Sequence, residues 1–168
     1  LSLGIDIYWR KRLVNLLKKN QPQTILDIAT GTGDLAIAIS KSLPQAQIIG
    51  ADISEKMLEV GQKKILKKKL QDRIVLEEGD SEALKYDDQY FDAVTVAFGV
   101  RNYENLDHGL AEMYRVTKTH GKVFILEFSK PTVFPVKQLY NFYFTSILPL
   151  LGKGVSKDQS AYTYLPES

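Results

Sequence analysis

Three aspartates in the first half of the chain are placed where they could recognise a polar ligand. Asp27 lies just inside the end of a short apolar segment, and Asp52 and Asp80 lie at or just beyond the ends of two others. Carboxylates accept hydrogen bonds from hydroxyl and amino groups and attract cationic groups. The stretch Gly31-Thr32-Gly33 follows the first aspartate, and glycines there let the backbone approach a ligand closely. These residues together predict a ligand-binding site.

The glycine stretch alone is compatible with two kinds of ligand. Residues 31–36 fit the loose dinucleotide pattern G-x-G-x-x-G/A. Asp27 would repel a pyrophosphate but attract an amino or cationic group. Asp52 can accept both ribose hydroxyls of a bound nucleoside. Asp80 could accept from the exocyclic amine of adenine, with Ser81 as a neighbouring donor. The pattern therefore favours an adenosine ligand with a cationic tail over a dinucleotide.

Alternating strand and helix patterns must position these side chains. Apolar segments rich in Val and Ile predict buried strands, at residues 24–30, 46–53, 73–80, 91–98 and 122–128. Helical spacing predicts helices between or before them, at residues 5–19, 34–43, 54–70 and 104–117, the third with Ser54 as its N-cap. This order predicts an α/β fold, a three-layer, Rossmann-like, doubly wound parallel sheet. Ligands bind such sheets beyond the carboxyl ends of the strands, where the three aspartates lie.

Composition narrows the class of protein. The 168 residues suit one domain, and the absence of cysteine excludes disulfides and thiolate metal sites. A net charge of +2 does not indicate a nucleic-acid partner. His108 and His120 have no companion at metal-ligand spacing, so no metal site is predicted. The basic stretch KKILKKKL is interpreted as a solvated helix face, with Ile65, Leu66 and Leu70 turned inward.

Several stretches resemble the motifs of a known class of enzyme. DIATGTGD, GADIS, EGDSEAL and FDAVTVAF resemble successive motifs of class I S-adenosylmethionine-dependent methyltransferases. FGVRN, EMYRVTKTHGKVFILEFSKP and YTYLPES are more specific, and they resemble the ubiquinone/menaquinone biosynthesis C-methyltransferase family. The resemblance covers nearly the whole chain, and it implies one methyltransferase domain over residues 1–168.

The resemblance and the residue patterns together give a set of candidate site residues. The cofactor-binding set is Asp27, Gly31, Thr32, Gly33, Asp52, Ile53, Asp80, Ser81 and Ala97. Arg101 and Asn102 match the family positions that hold and activate the acceptor. The chain departs from the family pattern at Ala97, where the family often has Ser, and at Thr30, where it often has a further Gly.

The reaction implied by the resemblance is transfer of a methyl group from S-adenosylmethionine to a ring carbon of a polyprenylated quinol. The acceptor is demethylmenaquinol, a benzoquinol, or both. Arg101, a cation at neutral pH, is expected to stabilise the phenolate or orient a water, and Asn102 to hold a quinol oxygen. Three alternatives stay open: a methyltransferase for another small molecule, a nicotinamide-binding oxidoreductase, and a non-catalytic binding module.

The remaining expectations concern location and assembly. The family usually continues past YLPES, so the chain is expected to be truncated and to lack the C-terminal antiparallel strands. The sheet edge left open would favour self-association, for example as a homodimer. Residues 134–152 form an aromatic amphipathic segment, which either packs in the core or forms a pocket wall with a route to the membrane surface. The expected location is the cytoplasm, with peripheral contact at the inner face of the membrane.

Overall fold

The computed structural model describes residues 5–127, which form five strands and the helices around them. The α-helices are α1 (Ile5–Lys18), α2 (Asp34–Ser42), α3 (Glu55–Lys67) and α4 (Leu106–Val116). The strands are β1 (Thr24–Ile28), β2 (Gln47–Asp52), β3 (Ile74–Glu78), β4 (Phe91–Ala97) and β5 (Thr117–Leu126). A short 3-10 helix, Val100–Asn102, follows β4. Residues 134–152 lie outside the described residues, as does the expected truncation beyond Ser168.

All five strands run parallel, in the order β3-β2-β1-β4-β5. The chain builds outward from β1 to β3 and then returns to place β4 on the other side of β1. This reversal leaves a switch point between β1 and β4, where the connections leave in opposite directions. The predicted doubly wound parallel sheet is therefore confirmed.

Two apolar clusters cover the two faces of the sheet. One contains Leu17 of α1, Ile39 of α2 and Ile65 of α3, packed against Ile25 and Ile48. The other contains Leu26 and Phe91 on the opposite face, packed against Met113 and Val116 of α4. Neighbouring strand residues such as Ile25 and Leu26 enter different clusters because successive side chains in a strand point to opposite faces. Helices on both faces of the sheet give the predicted three layers.

Two local predictions need correction. Leu66 is 60% exposed, because the buried stripe of α3 runs through Leu58, Gly61 and Ile65, one helical turn apart. Strand β5 begins at Thr117 rather than at residue 122. Thr117 pairs with Phe91, whereas Lys122 pairs with Ala93, so the intervening residues bulge out of the ladder. His120, whose φ is 69°, lies within this bulge.

Candidate functional site

A cleft of about 400 Å³ opens at the carboxyl ends of the strands, at the switch point. Its size is within the range of small-molecule sites. The predicted site residues that line it are Gly31, Asp52, Ile53, Asp80, Ser81 and Asn102. The lining residues outside the candidate set are Ala29, Met57, Gly79, Glu82, Phe98, Gly99, Tyr103 and Glu104. A groove of about 650 Å³ between α1 and α2 is larger, but the strand-end aspartates do not line it.

Asp52 ties the glycine loop to the end of β2. One carboxylate oxygen accepts the amide of Gly31 at 2.7 Å, and the other accepts the amide of Ser54 at 2.9 Å. Each carboxylate oxygen has a second lone pair, so Asp52 retains acceptor capacity for ligand hydroxyls. Ser54 occupies the predicted N-cap position of α3, but its side chain makes no capping bond. Its backbone carbonyl instead accepts the amides of Met57 and Leu58.

The two glycines of the loop are required by its backbone. Gly31 and Gly33 have φ values of 56° and 73°, in the left-handed region that glycine adopts without strain. A Cβ atom on Gly31 would lie 3.4 Å from the Met57 methyl group, at the wall of the cleft. Gly33 is the N-cap of α2 and lies outside the cleft lining.

Thr32, between these glycines, contacts neighbouring helices rather than the cleft. Its hydroxyl donates to Asp34 at 3.1 Å and accepts from the Lys64 ammonium group at 2.6 Å. Lys64 also contacts Asp34 directly, with 2.8 Å between nitrogen and oxygen. This network fixes the loop from the side of α2 and α3. A direct contact between Thr32 and the cofactor stays a prediction.

Asp27 lies beneath the loop, with only 1% of its surface exposed. Its two carboxylate oxygens accept hydroxyl hydrogen bonds from Thr30 and Thr95, each at 2.7 Å. Burial raises the pKa of Asp27 to about 6, and the two hydroxyl bonds only partly oppose that rise. Asp27 is not part of the cleft lining, so the expected direct contact with a cationic group stays a prediction.

The ends of the neighbouring strands β1 and β4 form a strained part of the cleft wall. Ala29 and Phe98 follow β1 and β4, and their φ values of 52° and 60° are uncommon for residues with a side chain. A Cβ atom on Gly99 would lie 2.5 Å from the Ala29 Cβ, so the close approach of these segments requires glycine. Strained backbone of this kind is concentrated at functional sites. The residue types of Ala29 and Phe98 do not reveal this backbone strain in the sequence.

The segment after β4 separates the two predicted acceptor residues. Asn102 lines the cleft. The side chain of Arg101 is 40% exposed, and its Nε lies 3.9 Å from a Glu127 oxygen. Arg101 is not part of the cleft lining, and neither is Ala97, which pairs with Leu126 at the end of β4. The structure therefore places Asn102 with the cofactor-side residues and Arg101 beside them.

Carboxylates dominate the charge of the cleft. Asp52, Asp80, Glu82 and Glu104 line it, and no Lys or Arg is present among the lining residues that the structure describes. Glu82 holds the segment before α4 at the cleft, because its carboxylate accepts the amides of Glu104 at 2.6 Å and Asn105 at 3.0 Å. Such an acidic lining favours a ligand with hydroxyl, amino or cationic groups and disfavours a pyrophosphate.

The fold is that of class I methyltransferases. A solved structure described as a putative S-adenosylmethionine-dependent methyltransferase from Methanococcus maripaludis matches with a TM-score of 0.68 at 23% identity, over 94% of this chain and 73% of its own. An S-adenosylmethionine-dependent methyltransferase from Aquifex aeolicus matches with a TM-score of 0.63 at 22% identity, over 71% of this chain and 65% of its own. The fold class predicted from the sequence is confirmed.

The family follows from the sequence comparisons. The model of the ubiE/COQ5 methyltransferase family matches residues 1–168, and the chain belongs to that family. The demethylmenaquinone methyltransferase of Bacteroides fragilis is 51% identical over all of this chain and 69% of its own length. The ubiquinone/menaquinone biosynthesis C-methyltransferase of Citrifermentans bemidjiense is 45% identical over all of this chain and 72% of its own. The resemblance stated from the motifs is confirmed.

The buried carboxyl of Asp27 makes stability depend on pH in a defined direction. Because its pKa is about 6 in the folded chain, against 3.8 for an ordinary aspartate, the folded state holds this proton more tightly between pH 4 and 6. Wild type should therefore gain stability relative to Asp27→Asn as the pH falls. We expect the difference in the free energy of unfolding to shift by about 2 kcal/mol between pH 7.5 and 4.5, measured by urea titration.

The control for this experiment is Asp72→Asn, which changes an exposed carboxylate of the same type. Its difference from wild type should stay within about 0.5 kcal/mol across the series. A pH-independent difference for Asp27→Asn would show that Asp27 titrates normally and is not a desolvated group.

Proposed function

We propose that this chain binds S-adenosylmethionine in the strand-end cleft and methylates a ring carbon of a quinol. The observation that carries the proposal is the cleft itself, in which the Asp52 and Asp80 carboxylates lie at neighbouring strand ends without a lining cation among the described residues. This donor and acceptor set fits an adenosine whose tail carries a sulfonium and an amino group. Family membership supports methyl transfer as the reaction.

The predicted roles follow from the position of each residue. Asp52 would accept the ribose hydroxyls with the lone pairs not used by Gly31 and Ser54. Asp80 would accept from the amino group of adenine, and Ser81 would donate beside it. Charge-assisted hydrogen bonds of this kind contribute about 1.5–3 kcal/mol each. The exposed Ile53 would cover one face of the base with apolar surface.

The chemistry needs an electron-rich acceptor carbon. S-adenosylmethionine supplies an electrophilic methyl group when it is bound. A quinol becomes more nucleophilic at the adjacent ring carbon when a phenolic proton leaves, so a cation that stabilises the phenolate accelerates the reaction. Arg101, on the rim beside Asn102, is suited to this because its guanidinium stays charged at neutral pH. Asn102 would fix a quinol oxygen, and such positioning can lower the barrier by up to about 7–11 kcal/mol.

The acceptor we propose is a lipid-tailed quinol, demethylmenaquinol first and a benzoquinol second. Demethylmenaquinone appears in the name of the Bacteroides fragilis relative, which is 51% identical. Among the described residues, no helix is long and apolar enough to cross a bilayer. We propose that the chain acts in the cytoplasm and meets its lipid-tailed acceptor by peripheral contact with the inner face of the membrane. We propose a homodimer as the assembly, and residues 1–168 are proposed to form one domain.

Asp52 provides the first test of the proposal. We expect Asp52→Asn to weaken S-adenosylmethionine binding at least tenfold in a calorimetric titration, because a charged acceptor for two hydroxyls is lost. The matched control is Asp72→Asn, which should bind as wild type does. Tight binding of NADH by wild type, with none of S-adenosylmethionine, would contradict the proposal and favour the oxidoreductase.

Arg101 tests the acceptor. We expect Arg101→Gln to lower the kcat of transfer of labelled methyl to demethylmenaquinol at least tenfold, because the phenolate loses its cation. The dissociation constant of S-adenosylmethionine should stay within twofold of wild type. Arg12→Gln, which changes an exposed cation on α1, is the control and should leave both quantities unchanged. Full quinol turnover in Arg101→Gln would contradict the assigned role and favour a different small-molecule acceptor.

A further inference from the structure

Tyr103 carries a buried hydroxyl group that makes no well-formed hydrogen bond within the described part of the chain, although the Ser81 hydroxyl lies near enough to act on its pKa. Its ring is held in place from below, because a Cβ atom on Gly109 of α4 would lie 2.4 Å from two ring carbons. Buried polar groups are nearly always paired, so an unpaired one calls for an explanation. Tyr86, packed against the same apolar cluster, shows the ordinary arrangement, since its hydroxyl donates to Glu77 at 2.5 Å.

Tyr103 lies at the end of the cleft where Asp80 and Ser81 are proposed to contact adenine. Tyr103 lines the cleft together with Asp80, Ser81 and Glu82. Burial raises the pKa of Tyr103 to about 12, the Ser81 hydroxyl acts to lower it, and the carboxylates of Glu82 and Asp80 act to raise it. The phenol therefore keeps its proton at any working pH, and it can act as a donor beside Ser81.

A donor at this position would decide the direction of the Ser81 proton. A serine hydroxyl has one proton and two lone pairs. When the Tyr103 phenol donates to Ser81 Oγ, the serine proton is free to turn toward the cleft. Asp80 accepts the amide of Glu82 at 2.8 Å with one carboxylate oxygen and has the other available. Asp80 and Ser81 then present an acceptor and a donor side by side.

We propose that Tyr103 is a positioning residue that orients the Ser81 hydroxyl and thereby makes the cleft select adenine over hypoxanthine. The proposal rests on the proposed function, because it assumes an adenosyl ligand. Adenine offers an amino donor beside a ring-nitrogen acceptor, which matches Asp80 and Ser81 in that order. Hypoxanthine offers a carbonyl acceptor beside an N–H donor, so both of its groups meet the wrong partner.

The test compares S-adenosylhomocysteine with S-inosylhomocysteine as calorimetric ligands, on wild type and on Tyr103→Phe. Loss of one oriented hydrogen bond should weaken adenosyl binding about 3- to 10-fold. Binding of the inosyl analogue should not weaken, because Ser81 regains freedom to turn and accept from the hypoxanthine N–H group. The adenine preference should therefore fall about 3- to 10-fold. The melting temperature of the free protein should stay equal or rise, because the Tyr103 hydroxyl donates to Ser81 only when a ligand is bound and is unpaired in the free protein.

Tyr86→Phe is the matched control, since it removes a tyrosine hydroxyl that is already paired. It should lower the melting temperature and leave the adenine preference unchanged. In a Ser81→Ala background, Tyr103→Phe should have no further effect on the preference, because its target is gone.

An unchanged adenine preference in Tyr103→Phe would overturn the inference. Equal weakening of both ligands would also overturn it, because it would indicate a purely structural role. Failure of wild type to bind either ligand would overturn the proposed function itself, which is a separate result from an altered preference.

Discussion

The buried carboxylate of Asp27 joins the two strands between which the cleft opens. Its oxygens accept the hydroxyls of Thr95 on β4 and of Thr30 at the start of the glycine loop. A desolvated carboxylate without such donors would destabilise the fold, so β1, β4 and the loop must keep this relative arrangement. The strained residues Ala29 and Phe98 lie directly beyond the two strand ends, where this constraint limits the paths open to the chain.

A second carboxylate, that of Asp52 at the end of β2, contacts the glycine loop from the other side. Asp52 binds the amide of Gly31, so the loop is fixed on one side by Asp27 and on the other by Asp52. Residues of β1, β2 and β4 therefore surround one short loop. Such a convergence of strand ends is the reason that ligands bind at the switch point of a parallel sheet. Carboxylates line this site, and they would repel a pyrophosphate. The glycine pattern, which also occurs in dinucleotide sites, is therefore compatible here with a methyltransferase family.

Periodicity and spacing predicted the elements and the cleft better than they predicted individual contacts. Strand ends are marked by apolar runs that finish in polar residues, so Asp52, Asp80 and Ser81 could be placed at one edge without coordinates. Asp27 has the same sequence signal but is buried beneath the loop, because Thr30 and Thr95, far apart in the chain, bind it. A pairing between residues so distant in sequence leaves no local pattern.

Tyr103 and Leu66 illustrate two further limits of sequence reasoning. The hydroxyl of Tyr103 becomes notable only because Gly109 on a later helix admits its ring. Leu66 lies beside the buried stripe of α3 by a rotation of about 100°, a difference that an apolar residue type does not reveal. Glu82 and Glu104 were missed for a similar reason, because exposed acidic residues are common and only the cleft wall distinguishes these two.

A crystal structure of the chain with S-adenosylhomocysteine would test most directly whether the strand-end cleft holds the cofactor. We expect density in the strand-end cleft, with the ribose hydroxyls on Asp52 and the adenine edge against Asp80 and Ser81. Density in the groove between α1 and α2, or a ligand whose ribose lies away from Asp52, would contradict this expectation.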